Sequence, residues 1–116
     1  MKSYTDIEQS KKLAEILPLE SADMYYPYNG IETYPEVKNG LETKTAIPCW
    51  SLAALLEIIK ETAYFMDEDA SADLSSYRTI EWSLSITNYD MEPITADNPI
   101  DACYEMILKL HELKML

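Results

Sequence analysis

Groups able to carry out chemistry are few in this chain of 116 residues, and their spacing argues against a reaction centre. His111 is the lone histidine, and Cys49 and Cys103 are the two thiols. His111-Glu112 matches the opening of a zinc-protease helix, but the motif's second histidine is missing. Its position near the end of a helix fits a structural role, bonding a terminal carbonyl. Cys49 stands just before the helix that Ser51 is expected to start, a place that can lower a thiol's pKa, yet no histidine neighbours it in sequence. A Cys49–His111 dyad therefore depends wholly on the fold. The two cysteines lie far apart in apolar surroundings and read as free, buried small hydrophobes, neither a disulfide framework nor a zinc site.

Asp67, Asp69, Ser71 and Asp73 occupy positions 1, 3, 5 and 7 of a calcium loop. The loop then fails twice, with Ala72 where the sharp turn needs glycine and Arg78 where the bidentate glutamate belongs. It reads as a solvated acidic loop. The two glycines sit in Asn29-Gly30 and Asn39-Gly40, so no glycine-rich phosphate cradle exists. Among 21 carboxylates many acid–base pairs are conceivable and none stands out. These residues predict no catalytic, metal-binding or cofactor-binding site, and no enzyme. Aromatic residues form a different pattern: Tyr25, Tyr26, Tyr28 and Tyr34 crowd one segment, with Trp50 just beyond it. Such amphipathic side chains anchor protein interfaces or complete a small core. With Leu108, which widens the apolar arc of the last helix, they are the candidate interface residues.

Charge limits the partners. The net charge is -12, which argues against direct nucleic-acid binding and against docking on an anionic membrane. Residues 61–101 hold ten acids against Arg78 alone. An acidic face of that kind keeps a protein soluble. It also admits a DNA mimic, whose carboxylates imitate phosphates and occupy a DNA-binding protein. Met1 to Lys12 contain no apolar secretory core, and the uncharged run Thr45 to Leu56 is too short to span a bilayer. The expected setting is cytoplasmic.

The composition, 47% hydrophobic and 26% charged, is that of a globular chain, and the length suits one domain over residues 1–116. Thr5 and Glu8 match a capping box, followed by a one-faced helix that Pro18 closes. Between Ser21 and Pro48 the two Asn-Gly pairs predict a three-stranded meander over about 22–28, 31–38 and 41–47. Pro27 and Pro35 confine their strands to edges or bulges, and two-residue turns would sort the faces poorly. Ser51 is expected to cap a second helix through Glu61, apolar on most sides, with Met66 to Ser76 as a loop after it. Ile80, Trp82, Leu84 and Ile86 alternate with polar residues, predicting a half-buried strand over 78–88. Met91 to Thr95 is a short edge partner marked by Pro93. Asn98, Pro99 and Asp101 open a third, broadly apolar helix.

Three phrases carry a resemblance: Ile7-Glu8-Gln9-Ser10-Lys11-Lys12-Leu13-Ala14-Glu15-Ile16-Leu17-Pro18, Ile47-Pro48-Cys49-Trp50-Ser51-Leu52-Ala53-Ala54-Leu55-Leu56 and Ala96-Asp97-Asn98-Pro99-Ile100-Asp101-Ala102-Cys103. They resemble small proteins encoded in gut Bacteroidetes genomes, often among phage-like or mobile-element genes. The resemblance implies an accessory protein inside the cell and transfers no residue role. The fold expected from the residues is α+β, with three helices on one face of a small antiparallel sheet. Two helices offer more apolar surface than so thin a sheet covers, which predicts a homodimer or a protein partner. The contact would use the third helix, Trp50 or the tyrosine segment. The expected function is a non-enzymatic interaction or regulatory protein. Its rivals are the DNA mimic and a small-molecule or enzymatic pocket near Trp50, Cys49 and His111.

Overall fold

The computed structural model describes residues 2–27, 34–38, 46–66, 71–77, 81–86 and 92–116. Helix α1 spans Ile7–Ala14 and is capped by Asp6. The Gln9 N–H donates to the Asp6 carboxylate at 2.8 Å, and the Asp6 N–H donates back to the Gln9 side chain at 3.2 Å. This is a reciprocal capping box one residue later than the Thr5/Glu8 pair predicts. Thr5 is unavailable as a cap because it is fully buried and its hydroxyl already accepts from the Trp50 N–H at 3.1 Å. The helix ends at Ala14, before Pro18, and a single 3₁₀ turn follows at Leu19–Ser21.

Three short strands come next or flank the second helix: β1 (Met24–Tyr26), β2 (Glu36–Val37) and β3 (Ile47–Cys49). They form an antiparallel sheet in the order β2-β1-β3, so β1 is central. A meander would have put β2 in the middle. The burial explains the difference: Tyr25 and Tyr26 are buried, whereas Glu36 and Val37 are both exposed, and the strand without a buried face goes to the edge. The third strand is described over Ile47–Cys49, and residues 41–45 of the expected 41–47 fall outside the described residues. Both Asn-Gly pairs fall outside the described residues. Met24 faces Val37, whereas a two-residue turn at Asn29-Gly30 would set it against Pro35.

Helix α2 runs Leu52–Met66, with the Ala54 N–H donating to the Ser51 hydroxyl at 3.3 Å, as expected of an N-cap. The segment expected as a loop carries strand β4 (Ala72–Tyr77). Its half-buried Ala72 and Leu74 alternate with exposed Asp73 and Ser75, but small and acidic residues make that alternation faint in sequence. Strand β5 (Glu81–Ile86) pairs with it in register from Ala72↔Ile86 to Tyr77↔Glu81, and β6 (Ile94–Ala96) completes a second antiparallel sheet in the order β4-β5-β6. Leu84 and Ile86 are buried, which is the face the sequence pattern assigned.

Helix α3 spans Pro99–Glu112 with the expected signals in place: the Asp101 N–H donates to the Asn98 side chain at 2.9 Å, and Pro99 stands at the first position. It closes with Lys114 at φ 62°. The Met115 N–H reaches the Leu110 carbonyl at 2.9 Å and the Lys114 N–H reaches that of His111 at 3.0 Å, the two bonds of a Schellman cap.

The architecture is thus α+β, but among the described residues the strands divide between two three-stranded sheets, where one sheet was expected. Pro27, Pro35 and Pro48 remove backbone donors around the first sheet and keep its strands short. Helix α3 lies against β5 and β6, α2 against α3 and β4, and α1 against β3. The main core joins Leu13, Trp50, Leu55, Ile59, Leu84, Ile100, Met106 and Ile107, among others. Tyr26, Ile47 and Cys49 form a smaller cluster beneath α1 and β1. Among the described residues no helix is long and apolar enough to cross a membrane.

Candidate functional site

The reactive groups are held apart and tied down. Cys49 ends β3 in complete burial, and its S–H donates to the Thr5 carbonyl at 3.4 Å. Burial pushes this thiol's pKa up, against partial relief from hydrogen bonds with Thr5, Ser10 and Tyr26. Cys103, buried on α3, is pushed up to about 12 by burial alone. Thiols in such surroundings are poor nucleophiles. His111 is exposed near the end of α3, where Nδ1 pairs with the Leu116 carbonyl at 3.3 Å. It keeps company with the helix terminus while Cys49 keeps company with Tyr26 and Ile47, and no hydrogen bond among the described residues joins the two.

Thr5 organises the ground between α1 and β3. Its N–H donates to the Trp50 carbonyl at 3.0 Å, and its own carbonyl accepts from the Tyr26 hydroxyl at 2.7 Å. Its hydroxyl shares a 2.8 Å hydrogen bond with Ser10. Burial raises the Tyr26 pKa, so the phenol stays a neutral donor to that carbonyl. Trp50 is fully buried, with its indole N–H donating to the Ser21 hydroxyl at 3.0 Å. Sequence reasoning took Thr5 for a helix cap; nothing in its type distinguishes a capping threonine from a buried one.

An open cleft of about 620 Å³ lies where β6 meets α3, lined in part by Gln9, Asp97, Asp101, Tyr104 and Glu105. Asp101 is already occupied. It accepts from Lys2 Nζ at 2.9 Å, from Gln9 Nε2 at 2.8 Å and from Asn98 Nδ2 at 2.8 Å. Burial opposes ionisation here, but the bonds from Gln9, Lys2 and Asn98 outweigh it and hold the carboxyl below its usual range. The same Lys2 ammonium reaches Asp6 at 3.1 Å. This network straps the start of α1 to the start of α3. Of the calcium-loop residues, Asp67 and Asp69 lie outside the described residues, and Asp73 sits on β4. Among the described residues no group of three or more His, Cys, Asp or Glu could hold a metal ion.

The six interface candidates separate by burial. Trp50, Tyr25 and Tyr26 are buried against the chain's own residues, with the Tyr25 hydroxyl donating to Glu36 at 2.7 Å. Tyr28 lies outside the described residues. Leu108 is half-buried on α3, and Tyr34 is 75% exposed. Three residues along, Val37 is 72% exposed, an apolar position that sequence reasoning did not single out. Val37 belongs to β2, whose outer side has no paired strand among the described residues. The Lys38 N–H donates to the Asp23 carbonyl at 3.0 Å. In an antiparallel ladder inward and outward backbone groups alternate by residue, so Lys38 and Glu36 turn theirs toward β1 and Val37 turns its N–H and C=O outward. The edge thus presents the Val37 side chain beside a backbone donor and acceptor that have no partner among the described residues.

Comparison with protein-family models, with curated proteins and with solved structures gives no match.

Proposed function

We propose that this chain is a non-catalytic protein-interaction module that binds through the outer edge of its β2 sheet. The observation that carries the reading is the exposure of Val37 on a strand whose outer side is unpaired among the described residues, with exposed Tyr34 in the bend just before it. Apolar side chains on an unpaired edge are a liability in water and a ready template for a partner's strand. Burial of both thiols and of Trp50 weighs against the rival pocket near Trp50, Cys49 and His111. Contacts to such an edge are backbone-rich and tolerate many partner sequences, which suits an adaptor or regulator.

The test compares wild type with Tyr34→Ala/Val37→Glu, by light scattering for self-association and by capture on immobilised chain for other proteins. The double variant should lose association at least about tenfold, a change of roughly 1.4 kcal/mol, with its circular dichroism unchanged. Association that survives the double variant, or none in wild type by either method, would overturn the reading.

A further inference from the structure

From the edge geometry we infer that the protein binding β2 is a second copy of this chain, paired antiparallel about a two-fold axis through Val37. The inference rests on the interaction-module reading above and names its partner. Two properties of the segment Pro35-Glu36-Val37-Lys38 select a copy of itself. The first is phase. Val37 is the residue whose N–H and C=O point away from β1, so two copies set Val37 against Val37 exchange both backbone bonds at the axis. The second is charge. In that register Glu36 of each copy stands opposite Lys38 of the other, twice over, in the closer non-hydrogen-bonded positions where side chains interact best. A shift of two residues in either direction would destroy this match.

A chain of net charge -12 repels its own copies over most of its surface, so a self-contact needs a locally neutral, complementary patch. Glu36, Val37 and Lys38 are all exposed and supply one. The assembly also closes. Pro35 occupies the next outward-facing position and has no N–H to donate, so the ladder stays short. In this register each copy contributes its β2 edge, and the contact is isologous: it uses the same edge on both copies, joins two three-stranded sheets into one of six strands and leaves no second β2 edge to extend it.

The experiment is light scattering of the full chain over a micromolar concentration series. Wild type should run as a dimer. Val37→Pro removes the outward N–H at the axis and should give a monomer with unchanged circular dichroism. Lys38→Glu sets acid against acid at both flanking positions and should weaken dimerisation by about tenfold. Glu36→Lys/Lys38→Glu exchanges the charges and should restore most of that loss, which keeps the test decisive even where the proline variant fails to fold. Val37→Cys places two thiols at the axis with Cα atoms about 5.5 Å apart, within disulfide reach. Mild oxidation should cross-link it, while Tyr64→Cys, exposed on α2, should stay uncross-linked. A wild-type monomer at high micromolar concentration, or a dimer indifferent to the charge exchange, overturns the inference. A monomer that captures another protein in a Val37-dependent way overturns the second copy and leaves the module reading standing. Absence of any protein partner overturns both.

Discussion

At Thr5 one residue commits its N–H, its carbonyl and its hydroxyl to four neighbours, Trp50, Tyr26, Ser10 and Cys49, in a fully buried place. Thr5→Val keeps the shape and removes the acceptor of the Trp50 N–H, leaving a buried donor unpaired. The expected cost is about 1–3 kcal/mol, read as a lowered urea midpoint, and Thr5→Ser should cost less because it keeps the hydroxyl. Asp101 contributes to the acid limb of stability. Its folded pKa lies below the unfolded value of 3.8, so its contribution is complete above that value and disappears as pH falls through the lower folded pKa. Lys2 works at the other end. Burial lowers its pKa, but hydrogen bonds to Asp101 and Asp6 prevail and raise it, so its share is present below 10.5 and is lost as pH rises through the higher folded value. Asp101→Asn should flatten stability at both limbs by under about 1 kcal/mol, since the pair is part-exposed. Denaturation midpoints across pH check this. Residue types told of the cap at Asn98 and the dipole partner at Asp101, whereas the strap from Lys2 and Gln9 spans more than 90 residues and was invisible until α1 met α3.

Among the elements, the last turn of α3 holds a correctable strain. Lys114 adopts φ 62°, a left-handed conformation that glycine enters without a Cβ penalty. Lys114→Gly should therefore stabilise the protein by roughly 0.5–1 kcal/mol, seen as a higher Tm. Helices with strong local signals, Ser51 before α2 and Asn98-Pro99 before α3, were legible because a cap involves neighbours within one turn. Strand β4 was not. Ala72, Asp73, Ser75 and Ser76 have weak strand propensity, and their conformation comes from β5 across the ladder. Strand order was equally hidden: β1 takes the centre because it pairs on both sides, and its Tyr26 is buried in a cluster with Ile47 and Cys49 of β3 and Ile7 of α1, a fact about neighbours far along the chain.

For the whole molecule, charge is the dominant feature. A net charge of -12 on a chain this small means self-repulsion in the compact state. Raising salt from about 0.01 M to about 0.1 M shortens the screening length from about 30 Å to about 10 Å and should raise the urea midpoint. A midpoint that falls with salt would mean instead that ion pairs such as Lys2–Asp101 outweigh the repulsion. The division into two sheets follows from shape at the same scale. Apolar surface on α2 and α3 meets β4, β5 and β6, while α1 covers β3, so two groups of strands each find a helix.

Composition, charge and local periodicity alone determined the α+β class, the three helices, the buried face of β5 and the scarcity of reactive side chains, because each depends on residue type or on neighbours within a turn. The burial of both thiols was already read from their apolar surroundings, whereas the full burial of Trp50, the centre position of β1 and the outward-facing backbone of Val37 were decided only in three dimensions. Each depends on which distant segment removes water from one face of a strand, and no single stretch of chain encodes that.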